Sequence, residues 1–164
     1  MTDETMGVLY FYQGWENYQE LLIKAIASLT SEQLGYRPAP HLRSVGENAR
    51  HMIGARARWC HQAMGLGDQE FAALGRWDRR DQPERSAAEL VSGLRDSWQV
   101  LGAALRGWTP ADLASAIPND DREPGEPEVF TRQWIIWHLI EHDLHHGGEI
   151  SQLLGMHGLA APDL

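Results

Sequence analysis

The stretch from Thr131 to Gly158, TRQWIIWHLIEHDLHHGGEISQLLGMHG, constrains this chain more than any other, and it carries five of the eight histidines. At 100° per residue Ile135, His138, His142, His146, Glu149 and Leu153 fall on one narrow stripe of a helix, because positions three and four apart stack. An inward stripe is ordinarily apolar. Imidazoles there need partners, since a buried polar group without a hydrogen bond or a metal costs roughly 1–3 kcal/mol. Two histidines at i and i+4 can present nitrogens to one cation. The third ligand must then come from elsewhere in the chain.

Three further helices follow from periodicity and capping. Val8, Tyr12, Trp15, Leu22 and Ile26 recur at helical spacing, predicting a helix from about Thr5 to Leu29. Thr30 with Gln33 caps a short turn, and the stiff Arg37-Pro38-Ala39-Pro40 makes residues 35–43 a loop. Ser44 and Glu47 form a capping box that opens a second helix to about Met64, stopped by Gly65 and Gly67. Residues 65–85 lack sustained periodicity apart from a turn at Phe71–Leu74. A connection this long inside a bundle implies a crossover. Ser86 and Glu89 cap a third helix to about Trp108, with Leu90, Leu94, Trp98 and Leu101 as its apolar stripe. The proline-rich stretch 109–130 reads as loop after one short turn, with a weakly signalled strand pair. Thr131 caps the fourth helix, which ends near Gly155.

Four amphipathic helices with long connections predict an all-α fold, an antiparallel four-helix bundle spanning residues 1–164 as one domain. The 43% apolar content and seven tryptophans agree with a packed core. Fourteen basic residues against 23 acidic give a net charge of −9, which disfavours nucleic-acid binding. The single cysteine, Cys60, excludes an intramolecular disulfide and suggests a reducing, cytoplasmic setting. The acidic start MTDETMGVLY lacks the pattern of a signal peptide. No apolar run approaches the ~20 residues of a membrane span.

His142 and His146 are the sharpest feature, and His51 is the third ligand that the second helix offers, mid-helix and beside small and apolar residues. A slipped register, His138 with His142, is also open; His146 would then support the ligands. The bland reading makes these core histidines satisfied by carboxylates such as Glu47 or Glu149. Glu47 is already explained as a cap. His145 lies about 60° off the stripe and reads as a bundle-face residue. His41, His61 and His157 sit in or near loops. Three nitrogens on one side of an ion leave positions open for water or a substrate thiol, unlike a closed structural zinc site. Cys60 points away from the His51 face and has no catalytic signature around it. Trp134 and Trp137 would wall the site or a dimer surface. The run Asp120-Asp121-Arg122-Glu123 reads as solvated loop.

The segment EHDLHHGGEISQLLGMHGL resembles the last-helix signature of the DinB-like metalloenzyme family. Upstream, LTSEQLGYRPAPHLRSVGENARHMIGARARW resembles the same family in its turn, its proline-rich loop, its Ser helix start and its His and Trp. Residues 65–130 match only in general character. The resemblance implies a four-helix bundle with an unusual crossover, and a zinc or nickel ion on His51, His142 and His146. It thereby favours the 142/146 register. It also implies a helix-face homodimer, and relatives that are transferases or isomerases using bacillithiol or mycothiol. One departure stands out: Gly147 occupies a position where arginine is frequent.

The expected function is that of a divalent-metal enzyme acting on a small molecule, a thiol S-transferase or a hydrolase, with a low-molecular-weight thiol as a further cofactor. A non-catalytic metal- or small-molecule-binding dimeric bundle is the alternative, and a purely structural bundle with metal-free, hydrogen-bonded histidines is the third reading.

Overall fold

Side-chain caps decide where most of the helices begin, at Thr30, Ser44, Ser86 and Thr131 as the pattern predicts. The computed structural model describes residues 7–119, 124–125 and 127–162. A 3-10 turn, Val8–Tyr12, runs into α1, Gln13–Ile26. The short α2, Ser31–Leu34, is closed by the Thr30–Gln33 capping box. The Ser44–Glu47 box opens α3, Val45–Arg58. Asp68 caps α4, Gln69–Leu74, and the Ser86–Glu89 box opens α5, Ala87–Gly107. Thr109 caps α6, Pro110–Leu113, and Thr131 accepts the Trp134 N–H at the head of α7, Arg132–Met156. In each box two otherwise orphaned N–H groups are satisfied reciprocally, which is why such local signals survive tertiary packing. The expected helix start at Thr5 and the run 120–123 lie outside the described residues.

The four long helices pack in an order that side-chain pairs define. Trp15 meets Trp98, and Gln19 donates to the Leu94 carbonyl at 2.8 Å, so α1 and α5 run antiparallel. His51 meets His146 and Trp59 meets Trp134, so α3 and α7 run antiparallel as well. By contrast Ile53 lies against Gly93 and Arg56 against Ser97, so α3 and α5 run parallel. Parallel neighbours need a connection that travels back along the bundle. Residues 59–86, including α4, make that crossover.

At its end α3 passes into a π-helical turn, Trp59–Ala63, where the Met64 N–H reaches the Trp59 carbonyl. Gly65 and Gly67, at φ +67° and +74°, then turn the chain in the left-handed region that glycine tolerates. The strand pair is real though brief: Ala116–Pro118 pairs antiparallel with Val129–Thr131, Ile117 opposite Phe130. It sets Thr131 at the head of α7. The core gathers Leu22, Ile26, Met52, Ile53, Leu90, Leu94, Leu101, Leu105, Ile135, Ile136 and Leu139, all fully buried. Among the described residues no helix is long and apolar enough to cross a membrane.

Candidate metal centre

The antiparallel α3–α7 contact places His51 opposite one turn of α7. One residue of α3 and two residues four apart on α7 thus meet, with imidazole centroids 4.7 Å (His51–His142), 4.8 Å (His51–His146) and 4.5 Å (His142–His146) apart. One nitrogen of each lies within 4.8 Å of the others, a grouping able to hold a metal ion. His138 is 6.0 Å from His142 and stacks instead on Trp134, at 5.2 Å with the rings 9° from parallel. Trp59 and Phe130 complete that aromatic wall. His145 stands off the stripe on the exposed side of α7, 3.5 Å from Glu149. His61 hydrogen-bonds the Leu66 carbonyl and His157 stacks on Tyr36.

Carboxylates orient two of the three rings. Asp78 Oδ2 lies 2.8 Å from His51 Nδ1, and Glu149 Oε2 lies 2.8 Å from His146 Nδ1. An ionised carboxylate only accepts, so each Nδ1 bears the proton and each neutral ring keeps a bare lone pair on Nε2. His142 Nε2 sits 3.1 Å from His51 Nε2, while its own Nδ1 is buried without a partner. Nitrogen lone pairs converging at such distances repel unless a proton or a cation lies between them. Imidazoles whose outer N–H is held by a carboxylate are the usual form of metal-ligating histidine. Three imidazole nitrogens are a donor set that fits a divalent transition-metal ion.

Electrostatics keeps these rings neutral. Burial lowers the His142 pKa to about 3, helped by His146, His51, His138 and Arg43. Burial also lowers His51 and His146, although Asp78 and Glu149 pull them back upward. Burial works against the Asp78 charge as well. The hydrogen bonds from Arg58 and His51 outweigh it and hold that carboxyl at about 2. Arg58 grips Asp78 at 2.7 and 2.9 Å. Cys60 is no nucleophile: it is fully buried, and burial pushes its thiol up to about 12.

Asp78 and Arg58 were not legible as site residues, because Asp78 belongs to the aperiodic 65–85 connection. Only the i+3 spacing of Glu149 from His146 gave any advance signal of an orienting carboxylate. Glu47 caps α3 and pairs with Arg37 at 3.2 Å, away from the imidazoles' hydrogen bonds. Asp78 and Glu149 also line a cavity of about 890 Å³. Arginines crowd its remaining wall.

Gly147 is buried against Tyr18, and a Cβ there would collide with the Tyr18 hydroxyl. No larger side chain has room. Overpacking of this kind costs about 1–3 kcal/mol. Gly147→Ala is therefore expected to lower the melting temperature by several degrees, with Tyr18→Phe restoring part of the loss. An unchanged melting temperature in Gly147→Ala would show that the contact relaxes freely.

A model of the DinB superfamily matches residues 11–150 of the chain. Among solved structures, the chain is similar to a DinB-like protein from Bacillus cereus, at 25% identity and TM-score 0.73, over 98% of this chain and 99% of that one. It is also similar in fold to a DinB-like protein from Bacillus subtilis, at 14% identity and TM-score 0.63, over 94% and 96% of the two chains. Among the curated proteins none matches the chain.

Proposed function

The chain belongs to the DinB superfamily, and from that premise we propose that it is a divalent-metal enzyme whose ion, zinc or nickel, is held by the Nε2 atoms of His51, His142 and His146. One observation carries this reading: Asp78 sets the His51 tautomer so that its Nε2 faces His142 Nε2 at 3.1 Å, with His146, its Nδ1 on Glu149, in the same grouping. When bound, such an ion supplies Lewis acidity to an incoming water or thiol. The chain's own residues do the rest. Asp78 and Glu149 keep His51 and His146 in the ligating tautomer, Arg58 keeps Asp78 ionised, and the Trp59–Trp134–His138 wall closes one flank. The activity proposed is transfer of a low-molecular-weight thiol to a small electrophile, or hydrolysis, in the cytoplasm. The net charge of −9 counts against a nucleic-acid partner.

The second reading is a dimeric bundle that binds a metal or a small molecule without catalysis. The exposed apolar side chains of α7, Trp134, Trp137 and Leu144, favour a homodimer face. A cavity beside the centre favours the enzyme.

Metal content per chain, by elemental analysis of untagged protein purified without added metal, tests the centre. About one zinc or nickel per chain, lost in His51→Ala, is the expected result for three protein ligands. No metal, with none taken up on titration, would sink both metal readings and leave a structural bundle. Turnover of thiol–electrophile pairs then separates the enzyme from the binding protein.

A further inference from the structure

The cavity beside the histidines has a charge opposite to that of the chain as a whole. Arg37, Arg43, Arg50, Arg79 and Arg80 line it, in a protein of net charge −9. Its acids are committed elsewhere. Glu47 accepts from the Ser44 N–H and pairs with Arg37, Asp78 is held by Arg58 and His51, and Glu149 is held by His146. Of the arginines, Arg37 is paired with Glu47, Arg50 donates to the Pro83 carbonyl, and Arg79 lies 4.0 Å from Asp78. Among the described residues Arg43 and Arg80 have no acidic partner within ion-pair distance. Both are exposed to the cavity side of the bundle.

The inner wall adds an independent feature. Asn48 lines the same cavity, is 1% exposed, and has a side-chain oxygen without a hydrogen-bond partner. Buried amides are almost always satisfied, so Asn48 leaves the inner wall one hydrogen bond short, with the unpaired oxygen itself buried behind the lining. The cavity's size, about 890 Å³, is that of a small-molecule site. Its position ties it to the metal centre, because two of its lining carboxylates, Asp78 and Glu149, hold the ligating rings.

We propose that this cavity binds an anionic small molecule, with Arg43 and Arg80 receiving its oxyanion. The guanidinium fork matches a carboxylate or a phosphate oxyanion in planar, two-point geometry, which a lysine would not. That the anion is a substrate rests on the metal-enzyme reading above; that it binds does not. Arg43 comes from the loop before α3 and Arg80 from the crossover, so two separate segments supply the charge.

Calorimetric titration of succinate, inorganic phosphate and the neutral succinamide into metal-free protein tests the proposal without coordination to an ion standing in for the arginines. Succinate or phosphate is expected to bind and succinamide not; whichever anion binds more tightly identifies carboxylate or phosphate as the source. Arg43→Gln and Arg80→Gln should each weaken binding about tenfold, and the double variant should abolish it, with melting temperatures unchanged because both side chains are exposed. Equal binding of succinamide, no binding of either anion, or undiminished binding by the double variant would overturn the proposal. Metal content measured on the same samples keeps the two readings apart. Anion binding without any metal uptake sinks the metal centre alone, and metal uptake without anion binding sinks the cavity alone.

Discussion

Protein carrying His142→Ala is expected to hold no stoichiometric divalent ion, while His138→Ala keeps full occupancy. The two substitutions are alike in chemistry and one helical turn apart, so the difference reports on geometry. His142 Nε2 faces His51 Nε2 at 3.1 Å, whereas the His138 ring is taken up by stacking on Trp134. Loss of metal should register in stability too. An ion at a hundred times its dissociation constant stabilises the folded state by about 2.7 kcal/mol, and His142→Ala should forfeit that gain. The metal-free variant should melt near the metal-free parent, because the substitution removes a buried nitrogen that has no partner. Asp78→Asn and Glu149→Gln should fall between, with metal affinity reduced about 10–100-fold, since they leave three imidazoles but release their orientation. Full occupancy in His142→Ala, or loss of metal in His138→Ala, would move the centre to the other register.

The largest expected effect on folding lies one residue further along α7. Asp143 and Arg56 are both fully buried, and Arg56 Nη2 and Nε donate to Asp143 Oδ2 at 2.6 and 3.0 Å. Trp15 Nε1 donates to the same oxygen at 2.7 Å, and Arg56 Nη1 reaches Ser97 Oγ at 3.3 Å. One ion pair thus ties α1, α3, α5 and α7 together. Removing Asp143 leaves a guanidinium in the core with no anion. Such breakage costs about 3–5 kcal/mol, a large part of the 5–15 kcal/mol that holds an ordinary domain folded. Asp143→Ala should therefore lower the melting temperature by about 10 °C or more. Replacing both partners, Arg56→Met with Asp143→Leu, should recover much of that loss, because no unpaired charge remains and apolar volume is kept. A single variant within about 1 kcal/mol of the parent, or a double variant worse than either single one, would show that the pair does not act as a unit.

Much of the fold was legible because its signals are local. Thr30, Ser44, Ser86 and Thr131 each satisfy N–H groups within three residues of themselves, so the caps predicted from spacing are the caps observed. The apolar stripe of α5 is buried as its period demands. The π-helical turn after Arg58 was not legible, since nothing in Trp59–Ala63 departs from an ordinary helical pattern, yet it brings Trp59 against Phe130, Trp134 and His138. Asp143 was hidden for the opposite reason. A carboxylate among histidines on a polar-looking helix gives no sign that it will be buried against an arginine from α3.

What the sequence determined by itself was four helices, the starting residues of the last three, and a stripe of imidazoles on the last of them. It narrowed the candidate ligands to His51, His142 and His146, with His138 in reserve. Only the tertiary structure decided which rings converge, that Asp78 reaches His51 from an aperiodic connection, and that arginines from separate segments line one cavity. The physical reason is range. Caps and periodicity arise from neighbours within a turn or two, whereas convergence depends on how α3 crosses α7 and where the 59–86 crossover lands. Packing of the whole core sets both.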